Sequence, residues 1–222
     1  MRRFYGQFIH RGALCFDIGA HVGNRLAVWT TLGADVVGVE PAPECQWLLQ
    51  RLFGRNRRVT LVDAAMGAAP GQQTLFVSER NPTVTSLSSS WIATVQRTDA
   101  FAGVRWEGAV TVPVTTLDDL IDRYGAPAFC KIDVEGYELE VLSGLSRPLN
   151  TLSFEYVAPT RDLAIACIIR LAQLGNYVYN ASPGEQHRWQ FAEWMAPPTA
   201  IAWLQQLGDS DGSGDIYARR LG

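Results

Sequence analysis

Short apolar, β-rich runs alternate with longer helical patterns along most of this chain, and that alternation narrows its fold more than any other feature. It is the pattern of a parallel sheet wrapped by helices. Strands are predicted over 14–18, 35–39, 59–62, 128–132, 152–156, 177–179 and 215–218, and helices over 24–32, 43–53, 116–124, 137–143 and 161–174. The fold class is therefore α/β, a doubly wound domain. With 222 residues, the chain suits a single domain over 1–222 with one large core. Two regions depart from the alternation. Residues 73–77 and 110–114 read as a small hairpin or edge addition, with a Ser/Thr-rich segment over 83–90 between them. Residues 182–203 carry Trp189, Trp194, Trp203 and the pair Pro197-Pro198; they either pack a helix over the sheet edge or present an aromatic wall to a substrate. Segments 83–112 and 182–204 are the candidate lids or acceptor-lining insertions.

Composition limits the partners. Apolar residues make up 47% and charged residues 18%, with a net charge of -3, as in an ordinary water-soluble globular protein that needs no membrane. A slightly acidic balance argues against a nucleic-acid partner, since phosphate binders cluster positive charge. The run Arg55, Asn56, Arg57, Arg58 reads as a solvated helix end. Cys15, Cys45, Cys130 and Cys167 form no Cys-x-x-Cys pair and read as small buried hydrophobes. No charged segment followed by a long apolar one opens the sequence, so the expected compartment is the cytoplasm.

The first strand runs into Asp17-Ile18-Gly19-Ala20-His21-Val22-Gly23-Asn24, and a helix follows at once. This places the loop at the carboxyl end of a strand, where α/β sheets bind ligands. Gly19 and Gly23 are expected to permit a tight turn and a close ligand approach. Asp17 discriminates between cofactors. A dinucleotide would set a pyrophosphate against this loop and be repelled by the acid, whereas S-adenosylmethionine has no phosphate and presents an ammonium that an acidic strand end can receive. Glu40, ending the next strand before Pro41, is placed to accept both ribose hydroxyls. The third strand ends in Asp63-Ala64-Ala65, and Asp63 is the candidate acceptor for the adenine amino group. The candidate cofactor residues are thus Asp17, Gly19, Ala20, His21, Gly23, Asn24, Glu40, Pro41, Asp63, Ala64, Ala65 and Asp133, with His21 reading more simply as a partly exposed loop residue.

The fourth strand ends in Lys131-Ile132-Asp133-Val134-Glu135-Gly136-Tyr137-Glu138. Alternation puts Lys131 and Asp133 on one side, with Glu135 just beyond. Together with the glycine loop, this run resembles the FkbM family of S-adenosylmethionine-dependent methyltransferases. Thr115-Thr116-Leu117-Asp118-Asp119-Leu120 and the helix from Leu139 to Gly144 extend the likeness, with a weaker echo at Gly214-Asp215-Ile216-Tyr217-Ala218-Arg219. The resemblance implies a class I, Rossmann-like fold with a seven-stranded, mostly parallel sheet, helices on both faces and an antiparallel last strand. It also implies O-methylation of a small hydroxylated acceptor such as a sugar, a polyketide or another natural product. A catalytically inactive cofactor-binding module and a nucleic-acid methyltransferase are the alternatives.

A neutral hydroxyl is a poor nucleophile, so a carboxylate within reach is needed to take its proton, and Asp133 and Glu135 are the candidate bases. Lys131 completes the candidate catalytic set; its bland reading is a pairing with Glu135 or Glu138. His187, beside Trp189, is a further candidate base that reads more simply as a surface residue. Asp133 and Glu135 could hold Mg2+ with a third oxygen, but the sequence offers no evident third ligand, so no metal is expected. The family's longer leading segment covers the cofactor or acceptor. Here only about a dozen residues precede the first strand, so cover is expected from elsewhere, and with seven tryptophans this predicts a homodimer.

Overall fold

The computed structural model describes residues 1–78 and 80–222. A short helix α1 (Arg2–Tyr5) leads into β1 (Leu14–Ile18), followed by α2 (Asn24–Thr31), β2 (Asp35–Val39), α3 (Pro43–Phe53) and β3 (Val59–Val62). An excursion follows, made of β4 (Ala65–Met66), β5 (Gly71–Val77), α4 (Ser89–Val95) and β6 (Gly108–Thr115). The alternation then resumes with α5 (Leu117–Tyr124), β7 (Phe129–Ile132), α6 (Glu138–Ser143), β8 (Thr151–Val157), α7 (Arg161–Leu174), β9 (Tyr177–Pro183), α8 (Pro197–Gln206) and β10 (Ser213–Arg220).

Seven strands form the main sheet in the order β3-β2-β1-β7-β8-β10-β9, and β10 runs antiparallel to both neighbours. Strand order reverses between β1 and β7, so their connections leave in opposite directions and a crevice opens at their carboxyl ends. Both faces are covered, as a parallel sheet requires. Phe16, Ile18, Cys130, Ile132 and Phe154 point to one face with Leu117, Leu142 and Leu171 of the helices. Cys15, Phe129 and Tyr217 point to the other, against Tyr5, Leu26 and Trp29. Each such buried side chain contributes roughly 1.5–3 kcal/mol. Local signals agree with this frame. At α5, Thr116 Oγ1 accepts the Asp119 N–H (3.1 Å) and Asp119 Oδ2 accepts the Thr116 N–H (3.2 Å), a capping box that starts the helix and turns Leu117, Leu120 and Ile121 inward. All four cysteines are buried and free.

The structure departs from the sequence expectations in the excursion and near the end. β5 and β6 do pair as a hairpin, but with β4 they form a separate three-stranded sheet. β4 is only two residues long, too short for periodicity to register. The Ser/Thr-rich segment ends in a helix: Ser88 Oγ accepts the Trp91 N–H (3.1 Å) and α4 buries Trp91, Ile92 and Val95. Within 182–203 the chain leaves β9, runs irregularly over 184–196 and enters α8, which packs against α7 and β9. The tryptophans of this segment pack within the chain, Trp189 against Phe4, Phe8, Trp194 and Tyr217 and Trp203 against Tyr156 and Phe191. Trp29 and Trp91 are fully buried, whereas Trp47 on α3 is 63% exposed. No helix among the described residues is long and apolar enough to cross a membrane.

The glycine loop is shaped mainly by protein contacts. Gly19 has φ +82, and a Cβ there would run into the backbone carbonyl of Asp133. At Gly23 it would meet Phe53 and Leu49 of α3. Glycine at these two positions lets β7 and α3 come close, and Gly19 also lines the cleft at the carboxyl ends of β1 and β2. Gly19→Ala is expected to destabilise the fold by about 1–3 kcal/mol, whereas Gly71→Ala, at a position with open space around it, should stay within about 0.5 kcal/mol; urea unfolding midpoints of the two variants check this.

Candidate active site

Register assembles the site. Asp17 on β1 lies opposite Lys131 on β7, Lys131 opposite Ser153 on β8, and Ser153 opposite Tyr217 on β10. A polar row thus crosses four central strands on one face. Lys131 has no exposed surface; its Nζ donates to Asp215 Oδ1 (2.7 Å) and lies 3.1 Å from Asp133 Oδ2. Burial and Arg25 push its pKa down, but Asp133 and Asp215 outweigh them and raise it, so the ammonium stays charged. The pairing of Lys131 with Glu135 or Glu138 does not occur, because strand alternation turns Lys131 toward β10 instead.

The three acids of the fourth-strand run have separate fates. Asp133 continues the line of β7, its N–H donating to the Ile18 carbonyl (2.9 Å). Burial would raise its pKa, but Lys131 and Arg25 hold it below the ordinary range. Glu138 is buried and accepts the N–H groups of Val134 (3.0 Å) and Gly136 (3.3 Å), bracing the turn; burial pushes its carboxyl up to about 7. Glu135 sits at φ +55, an uncommon conformation for a non-glycine residue. Its carbonyl accepts Ser86 Oγ (2.6 Å). Its carboxyl is raised well above the usual glutamate range by burial and by Asp133 and Glu138. Strain of this kind costs of order 1–3 kcal/mol and clusters at functional sites.

Two cavities meet at Glu135. The first is a narrow cleft of about 60 Å³ at the carboxyl ends of β1 and β2, lined by Gly19, His21, Glu40, Pro41, Ala64, Ala65, Asp133 and Glu135, with Thr83, Thr85 and Leu87 over it. The second, about 700 Å³, is lined by Glu135, Glu155, Thr83, Arg97, Phe101 and Asp209 among others. Of the residues singled out in the sequence, Asp17, Ala20, Gly23, Asn24, Asp63 and Lys131 are not among the cleft's lining. Asp63 and Asn24 are exposed. His187 lines neither cavity: its Nδ1 is 2.7 Å from the Glu185 carbonyl and its ring packs edge-on against Phe4 and Tyr5.

Some residues that build the site carry no sequence signal. Arg25, in the first turn of α2, reaches Asp133 (3.3 Å) and Glu185 (3.2 Å). Gln46 on α3 donates to the carbonyls of Glu40 (2.6 Å) and Val62 (2.9 Å), tying the ends of β2 and β3 together. Glu155 on β8 brings a third carboxylate to the place where the sequence offered two: one carboxylate oxygen each from Asp133, Glu135 and Glu155 lie within 4.8 Å of one another. Only the β7–β8 register reveals this.

The chemistry of the residues around the cleft suits S-adenosylmethionine. Glu40 Oε1 accepts the Ala42 N–H (2.9 Å) and Oε2 the His21 N–H (2.8 Å). Both oxygens are thereby fixed, and each keeps further acceptor capacity for ribose hydroxyls. Asp17 is 1% exposed, and neither of its carboxylate oxygens has a hydrogen-bond partner among the described residues. Burial pushes it up to about 7. A buried acid of this kind is costly unless a cation is near; Arg25 and Lys131 are the cations that act on it, and it lies behind the cleft's lining.

This sheet order and cleft define a class I, S-adenosylmethionine-dependent methyltransferase fold. The chain belongs to the FkbM methyltransferase family, whose domain matches residues 17–208. It is 27% identical over 144 residues to the hexuronic acid methyltransferase AglP of Haloferax volcanii, a match covering 64% of this chain and 54% of that protein. The chain thus matches about half the length of this curated relative. Among solved structures it is similar to a TehB-like SAM-dependent methyltransferase from Corynebacterium glutamicum (TM-score 0.50, 11% identity, 99% of this chain and 86% of that one). It is also similar to Aeropyrum pernix fibrillarin with bound S-adenosylmethionine (TM-score 0.50, 9% identity, 95% and 68%). At these identities the two structures speak for the fold.

Lys131→Met leaves Asp133 and Asp215 facing each other without their shared cation. It is expected to lose about 3 kcal/mol of stability near neutral pH. The loss should shrink as pH falls, because Asp133, deprived of the lysine, takes up a proton more readily. Denaturant unfolding at several pH values measures both effects.

Proposed function

We propose that this chain transfers a methyl group from S-adenosylmethionine to a hydroxyl of a small hydroxylated molecule, a sugar or related natural product, with Glu135 as the base. The observation that carries the reading is that Glu135 lines both cavities, so one carboxylate faces the cofactor cleft and the larger, partly polar space beyond it. The hexuronic acid named for the curated relative is a hydroxylated sugar of the size that space would take.

When bound, the cofactor supplies an electrophilic methyl group on a positively charged sulfur. Glu40, held by the His21 and Ala42 amides, orients the ribose. Asp133 stays ionised between Lys131 and Arg25 and forms a fixed wall. Glu135 has no such cation. It accepts the acceptor's proton as the oxygen–carbon bond forms, and its raised pKa makes it a stronger base once ionised. A carboxylate pressed against the sulfonium would favour the ground state, since that charge disappears in the transition state; one facing the acceptor favours the reaction.

Residues 83–112 form the lid in this reading. Thr83, Thr85 and Leu87 overlie a cleft of about 60 Å³, so the segment opens to admit the cofactor. Ser86 then fixes it to the Glu135 carbonyl (2.6 Å). Segment 182–204 contributes Glu185 to Arg25 and is a support for the site.

Release of S-adenosylhomocysteine with a panel of sugars and uronic acids tests the activity. Glu135→Gln should lower kcat by about 10²-fold or more while leaving S-adenosylhomocysteine affinity within a few-fold. Unchanged turnover in this variant would remove Glu135 from the role.

A further inference from the structure

We propose that Asp133, Glu135 and Glu155 hold one divalent cation of the oxygen-preferring, Mg2+ or Mn2+ class at the junction of the two cavities. The binding claim stands on the carboxylates alone; the role given to the ion rests on the methyl-transfer reading.

The three carboxylates come from separate elements: the end of β7, the left-handed turn after it, and β8. One oxygen from each lies within 4.8 Å of the others. In an octahedral shell with bonds of about 2.1 Å, neighbouring ligand oxygens are about 3 Å apart and opposite ones about 4.2 Å, so small side-chain rotations close this set around an ion. Glu155 supplies an independent observation. Its Oε2 is sealed from solvent and has no hydrogen-bond partner among the described residues, a costly state for a carboxylate oxygen unless a cation meets it.

Charge points the same way. Asp133, Glu135, Glu155 and Asp215 converge here, and among the described residues Lys131 and Arg25 are the cations paired with any of them. Both cations are committed: Lys131 to Asp133 and Asp215, Arg25 to Asp133 and Glu185. Among the described residues none makes an ion pair with Glu135 or Glu155. Lys131 and Arg25 both lean on Oδ2 of Asp133, which leaves Oδ1 for a metal.

Placement gives the ion its role. Asp133 and Glu135 line the cleft, and Glu135 and Glu155 line the larger cavity. An ion held by three carboxylates keeps about three of its six positions for water or for hydroxyl oxygens of an acceptor. A coordinated hydroxyl is more acidic. Its O–H bond breaks with the proton passing to the second oxygen of Glu135, the O–CH3 bond forms, and the S–CH3 bond breaks with its electron pair staying on sulfur. Hydroxyl-rich acceptors that can offer two neighbouring oxygens are the class such a site selects.

Titration of the full chain with Mn2+, followed by electron paramagnetic resonance, tests the proposal. One Mn2+ per chain should bind, be displaced by Mg2+, and bind at least tenfold more weakly to Glu155→Gln. If that variant does not fold by circular dichroism, Glu135→Gln takes its place with the same expectation. No binding to the folded wild type at millimolar Mn2+, or equal affinity in a folded variant, overturns the site. S-adenosylhomocysteine binding and turnover in EDTA separate the two readings. Undiminished turnover in EDTA overturns the cation's role in the reaction and leaves methyl transfer standing, whereas Mn2+ bound as described with no acceptor methylated supports the site and counts against the methyl-transfer reading.

Discussion

A lysine with no exposed surface sits at the centre of the main sheet, and the site depends on how its charge is held. Lys131 joins β7 to β10 across β8 through Asp215, and it fixes the orientation of Asp133 at the mouth of β7. Transfer of an unpaired ammonium to such a place would cost several kcal/mol. The antiparallel insertion of β10 between β8 and β9 brings Asp215 within reach, so topology and electrostatics are solved together. Arg25 completes the arrangement from α2. Asp133 is thereby ion-paired from two sides, whereas among the described residues Glu135 makes no ion pair.

One eight-residue stretch therefore divides its labour. Lys131 and Asp133 form a buried ion pair, Glu138 accepts two backbone amides and braces the turn, and Glu135 is thrown into the gap between the cavities by two successive left-handed residues. The Trp91 ring lies against Gly136, and Ser86 bonds the Glu135 carbonyl. Both contacts come from the excursion between β3 and α5, so the segment that overlies the cleft also sets the position of Glu135.

Much of this was legible in the residues themselves. Strands β1, β2, β3, β7 and β8 follow from short apolar runs, and the loop after β1 and the acid ending β2 mark the cofactor's end of the sheet. The missing parts share a physical cause. Arg25, Glu155 and Asp215 matter because strand register and helix placement bring them together across long sequence separations, and no local pattern encodes that. β4 was too short to show periodicity, while α4 hid behind serines that read as loop but include its cap. The sequence alone does not show that Asp17 lies behind the cleft's lining or that Gly23 packs against α3, since register and helix packing decide both.

In the proposed function the crevice is divided in two at Glu135, with nucleoside on the Glu40 side and acceptor on the Glu155 side. A crystal structure with S-adenosylhomocysteine tests that division most directly. The ribose hydroxyls should bond to Glu40, and the sulfur should face Glu135 and the larger cavity. A nucleoside lodged in the larger cavity, or a sulfur turned away from Glu135, would contradict it.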